Sequence, residues 1–314
     1  MHRAILLVTA TSDLAADLLV VAARERRLPL LRFNQDEFPE RSQIEWHDSG
    51  EIRFRVEGRS FEVPDIAGAW FRRMPTAPVH QDHAAAFAAR EAAAFLGGIW
   101  ESVDWFWMNR PCSVTRAEYK LLQLREAKRL GFVVPPTLAT NAPQAARDMV
   151  GARNAIAKTL AGGRIVAGGA DHAVFTTAIR IEDLVDDEVQ VCPLILQSRI
   201  PTEFDLRVTV VGDRTFPARI VVRDRTVQDV DWRRADPSRV CYENDTLPAE
   251  FSARCVELVS RLHLSYGAVD FVVTPAGEHV FLELNPSGQW GWIEHALGLP
   301  ITESILDVLR DGVR

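Results

Sequence analysis

A chain of 314 residues, 47% hydrophobic and 25% charged, is too long for one ordinary core and too apolar for disorder, so it reads as two or three folded domains or subdomains. A formal net charge of −7 and a pI near 5.7 argue against a general nucleic-acid binder, which needs a basic surface. No apolar run approaches the ~20 residues that span a bilayer, and Thr11-Ser12-Asp13 interrupts the apolar start too early for a signal peptide. The cysteines Cys112, Cys192, Cys241 and Cys255 are scattered, without metal or redox spacing, and are expected as reduced thiols of a cytoplasmic protein. His80 and His83 lack further clustered ligands and read as a solvated helix start.

The first third is expected to be an α/β unit. Ile5 to Thr9 is a strand, Ser12 or Asp13 caps a helix from Asp13 to Glu25, and Leu30 to Phe33 is a second strand. Ile44 to His47, Arg53 to Val56 and Arg59 to Val63 read as short antiparallel strands with a turn at Glu57-Gly58. Ala67 to Phe71 is a further apolar strand, and a long helix follows from about Asp82 to Trp107. No Gly-x-Gly-x-x-Gly marks a dinucleotide site there. Asn109-Arg110-Pro111 is a boundary, and Thr115 to Leu130 reads as one helix stopped by Gly131. Val133 to Leu138 is extended, Ala142 to Val150 a short helix, and Asn154 to Thr159 a strand leading into the glycines of 161–169. The acidic stretch Glu182 to Glu188 is expected as a solvated loop. Strands then follow at Leu194 to Ser198, Asp205 to Val211 and Thr215 to Val222, with helices at Pro248 to Leu262 and Ile301 to Arg310. The expected domains are 1–108, 109–195 and 196–314.

The most informative stretch is a hairpin, Asp270-Phe271-Val272-Val273 and Phe281-Leu282-Glu283-Leu284-Asn285-Pro286, joined through Pro275-Ala276-Gly277. Side chains alternate along a strand, so Glu283 and Asn285 face the same way, and tight pairing brings Asp270 beside them. Two carboxylates and an amide oxygen suit Mg²⁺, which such sites share with nucleotide phosphates. Buried carboxylates between apolar flanks need a compensating cation. Lys158 precedes a glycine-rich loop whose N–H groups can cradle phosphate. Gln197-Ser198-Arg199-Ile200-Pro201 reads as a hinge between two lobes, where a purine can bond to backbone groups. Glu203 or Asp205 beyond it can accept from ribose hydroxyls.

Lys120, Lys158 with its glycine loop, the Gln197 to Ile200 hinge, Asp205-Leu206-Arg207 and the Asp270/Glu283/Asn285 trio occur in an order that resembles an ATP-grasp ligase, from about Asn109 to the C-terminus. Trp70-Phe71-Arg72-Arg73 resembles the W-x-R-R signature of the graspetide synthetases, peptide maturases of the microviridin-ligase type. Val230-Asp231-Trp232-Arg233 and Phe281 to Trp290 look like further segments of that family. The resemblance implies an α/β ATP-grasp fold with an N-terminal pre-ATP-grasp domain and the nucleotide between two α+β lobes. It implies ATP and Mg²⁺ as cofactors, a ribosomal precursor peptide with a leader and an acidic, hydroxyl-bearing core as partner, and a homodimer, with no nucleic acid or membrane.

The implied chemistry is phosphorylation of Asp or Glu side chains and their linkage to Thr, Ser or Lys side chains as esters or amides. Lys120 and Lys158 would clamp the α- and β-phosphates, Asp270, Glu283 and Asn285 hold the metal, and Arg207 stabilise the transferring phosphoryl. Arg72, Arg73, Arg219 and Arg233 are candidates for the acidic peptide, because arginine forks match carboxylates, while Arg223 reads as ordinary surface charge. Asp231 would orient or deprotonate the nucleophile, and Trp290 and Trp292, residues more often core than contact, are candidates to line the peptide groove. Two other readings compete: a carboxylate–amine ligase adding an amino acid to a small molecule or protein terminus, and a non-enzymatic nucleotide-binding module.

Overall fold

The computed structural model describes residues 3–56, 59–62, 66–72, 82–161, 163–167, 170–226 and 230–312. The first domain runs β1 (Ala4–Thr9), α1 (Leu14–Glu25), β2 (Leu30–Asn34), β3 (Ser42–Trp46), β4 (Ile52–Val56), β5 (Arg59–Glu62), β6 (Ile66–Phe71), α2 (His83–Ser102) and β7 (Phe106–Trp107). Its main sheet, in the order β2-β1-β6-β7, is wholly parallel, and β3-β4-β5 form a separate antiparallel meander. Every residue of β1 is buried, as a parallel strand covered on both faces requires. Leu6 and Val8 enter one apolar cluster, and Ile5 and Leu7 another on the opposite face. The long helix stops at Ser102, short of the expected Trp107, because Phe106-Trp107 pair with Gly68-Ala69 as an edge strand.

The expected helix from Thr115 to Leu130 is two helices, α3 (Pro111–Ala117) and α4 (Lys120–Arg129), broken at Glu118-Tyr119. Gly131, at φ +78°, stops the second. β8 (Thr137–Thr140), α5 (Pro143–Ala152), β9 (Ala155–Lys158), the hairpin β10 (Arg164–Ala167) and β11 (Ala170–Ala173), β12 (Thr177–Ile179), α6 (Asp186–Val191) and β13 (Leu194–Ser198) follow. The antiparallel sheet β12-β9-β13-β8 carries its own small core around Ala146, Val150, Leu184 and Leu196. The stretch expected as a solvated loop at 182–188 instead supplies a helical turn at Ile181–Asp183 and the start of α6, with Leu184 and Val189 buried.

The last unit runs β14 (Phe204–Val211), β15 (Arg214–Val222), β16 (Val240–Asn244), α7 (Ala249–Arg261), β17 (Tyr266–Val273), β18 (His279–Asn285), α8 (Gly291–Leu297) and α9 (Ile301–Asp311). Its antiparallel sheet is ordered β16-β15-β14-β17-β18. β13 ends at Ser198, so the middle sheet passes the boundary expected at 195. Helix α4, expected in the middle unit, packs on β18 and α7. Both large apolar clusters join first-domain strands to this last sheet, one through α7 and the other through α9 and Trp290.

Candidate functional site

The middle sheet and the last sheet face each other across a cleft. Pro135, Ile156, Val272 and Leu282 form an apolar slot in it, and the hinge residues Gln197 to Thr202 close one end. Gln197 is buried. Its Nε2 donates to Thr137 Oγ1 at 3.0 Å, while its Oε1 has no partner among the described residues. The Ser198 hydroxyl is likewise buried and unpaired. Not all the hinge backbone is open to a base. The N–H of Ser198 donates to Pro136 O at 2.9 Å and that of Arg199 to Asn154 O at 2.7 Å. The expectation that a purine bonds to hinge backbone groups therefore excludes the N–H groups of Ser198 and Arg199.

Charge is organised by strand register. Arg207 on β14 lies opposite Asp270 on β17, which lies opposite Glu283 on β18, so three charged side chains cross the sheet in one row. Arg207 grips Asp270 with a fork of 2.7 and 2.8 Å. Lys120, the first residue of α4, reaches the row because the helix breaks before it. Its Nζ lies 3.6 Å from Glu283 Oε2 and donates to Thr159 O at 2.8 Å. Lys158, half-buried on β9, faces the row from the other lobe. Burial pulls its ammonium below the ordinary lysine range, against Glu283. Burial would raise the Glu283 carboxyl, but Lys158, Lys120, Arg233 and Arg207 outweigh it and hold Glu283 ionised.

Asp270 and Glu283 line the hinge-side cavity, and Glu283, Asn285 and Lys120 line a second one with Ala161 and Gly163 of the glycine loop. Gly163 has no room for a side chain, since a Cβ would meet Val174 O at 2.5 Å. Gly162, Gly168 and Gly169 lie outside the described residues. Asn285 Oδ1 accepts from the Ser287 N–H at 2.9 Å and keeps one lone pair. Among the described residues no three His, Cys, Asp or Glu side chains converge on one point. Two carboxylates and one amide oxygen fit a hard divalent cation that completes its shell with ligand oxygens and water.

Several assignments move. Arg72 is fully buried, forked onto Asp13 at 2.9 and 3.2 Å, and cannot receive a peptide carboxylate. Burial would raise Asp13, yet the Arg72 guanidinium holds it well below the usual carboxylate range. Arg73 lies outside the described residues. Arg219 lines neither cavity. It pairs with Asp245 at 2.9 Å and stacks over Phe204. Glu203 also lines neither, whereas Asp205 does, paired with Arg225 at 2.7 Å, a partner the sequence reading missed within a run of surface-like charges. Burial nonetheless pushes Asp205 up to about 6. Asp231 forks Arg233 at 2.8 and 2.7 Å and caps its N–H. Burial would raise Asp231, but those bonds hold it below its ordinary value, so it is a weak base that orients Arg233. Trp290 is core, while Trp292 is half-buried with Arg207 over its ring at 5.6 Å.

Residues 4–115 match the family model of the MvdD pre-ATP grasp domain. Among solved structures, the chain is similar to the macrocyclase MdnC from Microcystis aeruginosa MRC bound with precursor peptide MdnA. The identity is 28%, the TM-score 0.86, and the match covers 97% of this chain and 98% of that one. A Chryseobacterium gregarium RiPP-associated ATP-grasp ligase, in complex with ADP and a leader and core peptide, is 26% identical at TM-score 0.86, with 99% of both chains covered. The macrocyclase MdnB from Microcystis aeruginosa MRC is 29% identical at TM-score 0.82, covering 99% of this chain and 100% of that one. No curated protein sequence matches.

Proposed function

We propose that this chain, an ATP-dependent ligase with the ATP-grasp fold and the pre-grasp domain of the graspetide synthetases, matures a ribosomal precursor peptide by crosslinking its acidic side chains. The observation that carries the reading is the Arg207–Asp270–Glu283 row facing Lys120 and Lys158 beside an apolar hinge slot. An adenine fits the slot, and triphosphate fits the cations. Mg²⁺ on Asp270, Glu283 and Asn285 would neutralise phosphate oxygens. A peptide Asp or Glu oxygen bonds to the γ-phosphorus, the bond to ADP breaks, and an acyl phosphate results. A Thr or Ser hydroxyl, or a Lys amine, then bonds to the acyl carbon and loses its proton, and phosphate leaves.

Lys120 and Lys158 offset charge on the phosphates, so the carboxylate can approach. Arg233, half-exposed and oriented by Asp231, is placed to receive that carboxylate. Arg207 neutralises charge at the transferring group, with Asp270 fixing its direction. The reading includes a cytoplasmic homodimer, which light scattering of the purified protein checks. The central test is incubation with ATP, Mg²⁺ and a Thr-, Asp- and Glu-rich peptide encoded beside the gene. Each linkage should consume one ATP and lower the peptide mass by about 18 Da, one water, because one acyl phosphate is made and displaced. Replacing the reacting acid by its amide should block the loss. A mass gain of one amino-acid residue would favour the carboxylate–amine ligase instead.

A further inference from the structure

The turn after β18, residues 285–290, carries Asn285 and is gripped by the first domain. Arg72 lies between the rings of Trp70 and Trp290, 4.7 and 4.6 Å from their centroids. While its fork holds Asp13, its Nη1 donates to Gly288 O at 3.5 Å. The same carbonyl accepts from the Tyr266 hydroxyl at 2.7 Å, and Gln289 Nε2 donates back to Asp13 Oδ1 at 3.2 Å. A Cβ on Gly288 would lie 2.5 Å from that of Ala268, so the turn is pressed onto β17.

A buried ion pair is a poor source of net stability, because desolvation consumes most of its attraction, but it specifies position sharply. Here the specified object is the peptide unit three residues beyond Asn285 and five beyond Glu283. We propose that Arg72, Asp13 and Tyr266 are positioning residues that lock this turn and so set the affinity of the divalent-cation site. The first domain is thereby a structural part of the metal site. The proposal rests on the reading of Asp270, Glu283 and Asn285 as ligands.

The test uses the full chain with ADP. Mn²⁺ binding is followed by electron paramagnetic resonance, and amide exchange of residues 285–290 by mass spectrometry. Tyr266→Phe removes one hydroxyl at constant ring packing. It should weaken Mn²⁺ by about 2- to 10-fold, the span of one net hydrogen bond, quicken exchange in the turn, and leave metal-free ADP affinity unchanged. Arg72→Lys should act in the same direction and further. If it fails to fold, Gln289→Ala, which releases only the turn's bond to Asp13 of the first domain, takes its place with the same expected outcome. Faster exchange with wild-type Mn²⁺ affinity would overturn the proposal, as would unaltered exchange. A wild-type protein that binds ADP but no Mn²⁺ would overturn the ligand assignment beneath it.

Discussion

At the scale of single residues, Glu283 is the carboxylate on which Lys158, Lys120, Arg233 and Arg207 act together. It is ionised because four cations surround it, not because water does. Glu283→Gln keeps the volume and removes the charge, so it should lower ATP-dependent turnover at least about 100-fold, the effect of losing several kcal/mol of metal stabilisation. ADP release measured beside a thermal melt separates lost chemistry from lost fold. Asp205 gives a pH test. Its folded pKa of about 6 lies above the ordinary 3.8, so the folded state binds more protons than the unfolded state between those values. Stability therefore falls as pH rises from about 4 to 6, and the penalty is complete above that window. Asp205→Asn should lack this slope in denaturant midpoints taken across the window. Roles of this kind were only half legible in the sequence. Glu283 is legible from the apolar alternation of its strand, Lys158 from the glycine-rich loop beside it, and Arg207 only through the family resemblance. Arg72 was assigned to peptide binding because a signature marks a position without saying whether it faces solvent.

At the scale of elements, strands were legible wherever apolar runs lay between turn residues, as in β1, β14 and β17. Elements built on few or ambiguous residues were not. The edge strand β7, the short β12 and β16, and the helices α6 and α8 leave little mark on the sequence, because they owe their form to neighbours more than to local pattern. The break at Glu118-Tyr119 was equally hidden, since the helical period runs straight through it. That break matters because it sets Lys120 at the start of α4, one turn before Gln123. Buried Gln123 bonds the backbone of Leu284 twice, donating to its carbonyl at 2.8 Å and accepting from its N–H at 2.9 Å. The side chain thus stands in for a further strand on the edge of β18. Gln123→Ala leaves both groups of Leu284 unpaired and should cost about 2 to 4 kcal/mol, one buried unsatisfied group at a time. It should also weaken ATP binding, because Lys120 rides on the same helix. Urea denaturation and nucleotide titration on one preparation check both effects. Intact ATP affinity in a destabilised variant would mean that α4 holds Lys120 without help from Gln123.

At the scale of the molecule, core sharing decides what moves. The two large apolar clusters each combine first-domain and last-sheet residues, so those two units have no separate interiors. The middle sheet has a small core of its own, with no member outside residues 146–196 among those fully buried. Cooperative units follow cores, because local opening exposes the apolar surface of one cluster at a time. The first domain and last sheet should therefore exchange amide hydrogen as one slow unit, and the middle sheet as a faster one. In the function proposed above, nucleotide bridges the two through Gln197 and Lys158 on one side and Glu283 on the other. A ligand that binds only the joined state stabilises the weaker partner by mass action. Adding ADP with Mg²⁺ should thus slow exchange most in β8, β9 and β13, and least in β1 and β6. The same logic predicts that a chain starting at Asn109 is not a smaller ligase. It would expose Tyr266, Trp290 and α9, which pack on Trp70, β6 and α1, and should be recovered aggregated or unfolded by circular dichroism. A soluble, folded fragment with wild-type nucleotide affinity would show that the first domain is an appendage, and the shared core would then need another explanation.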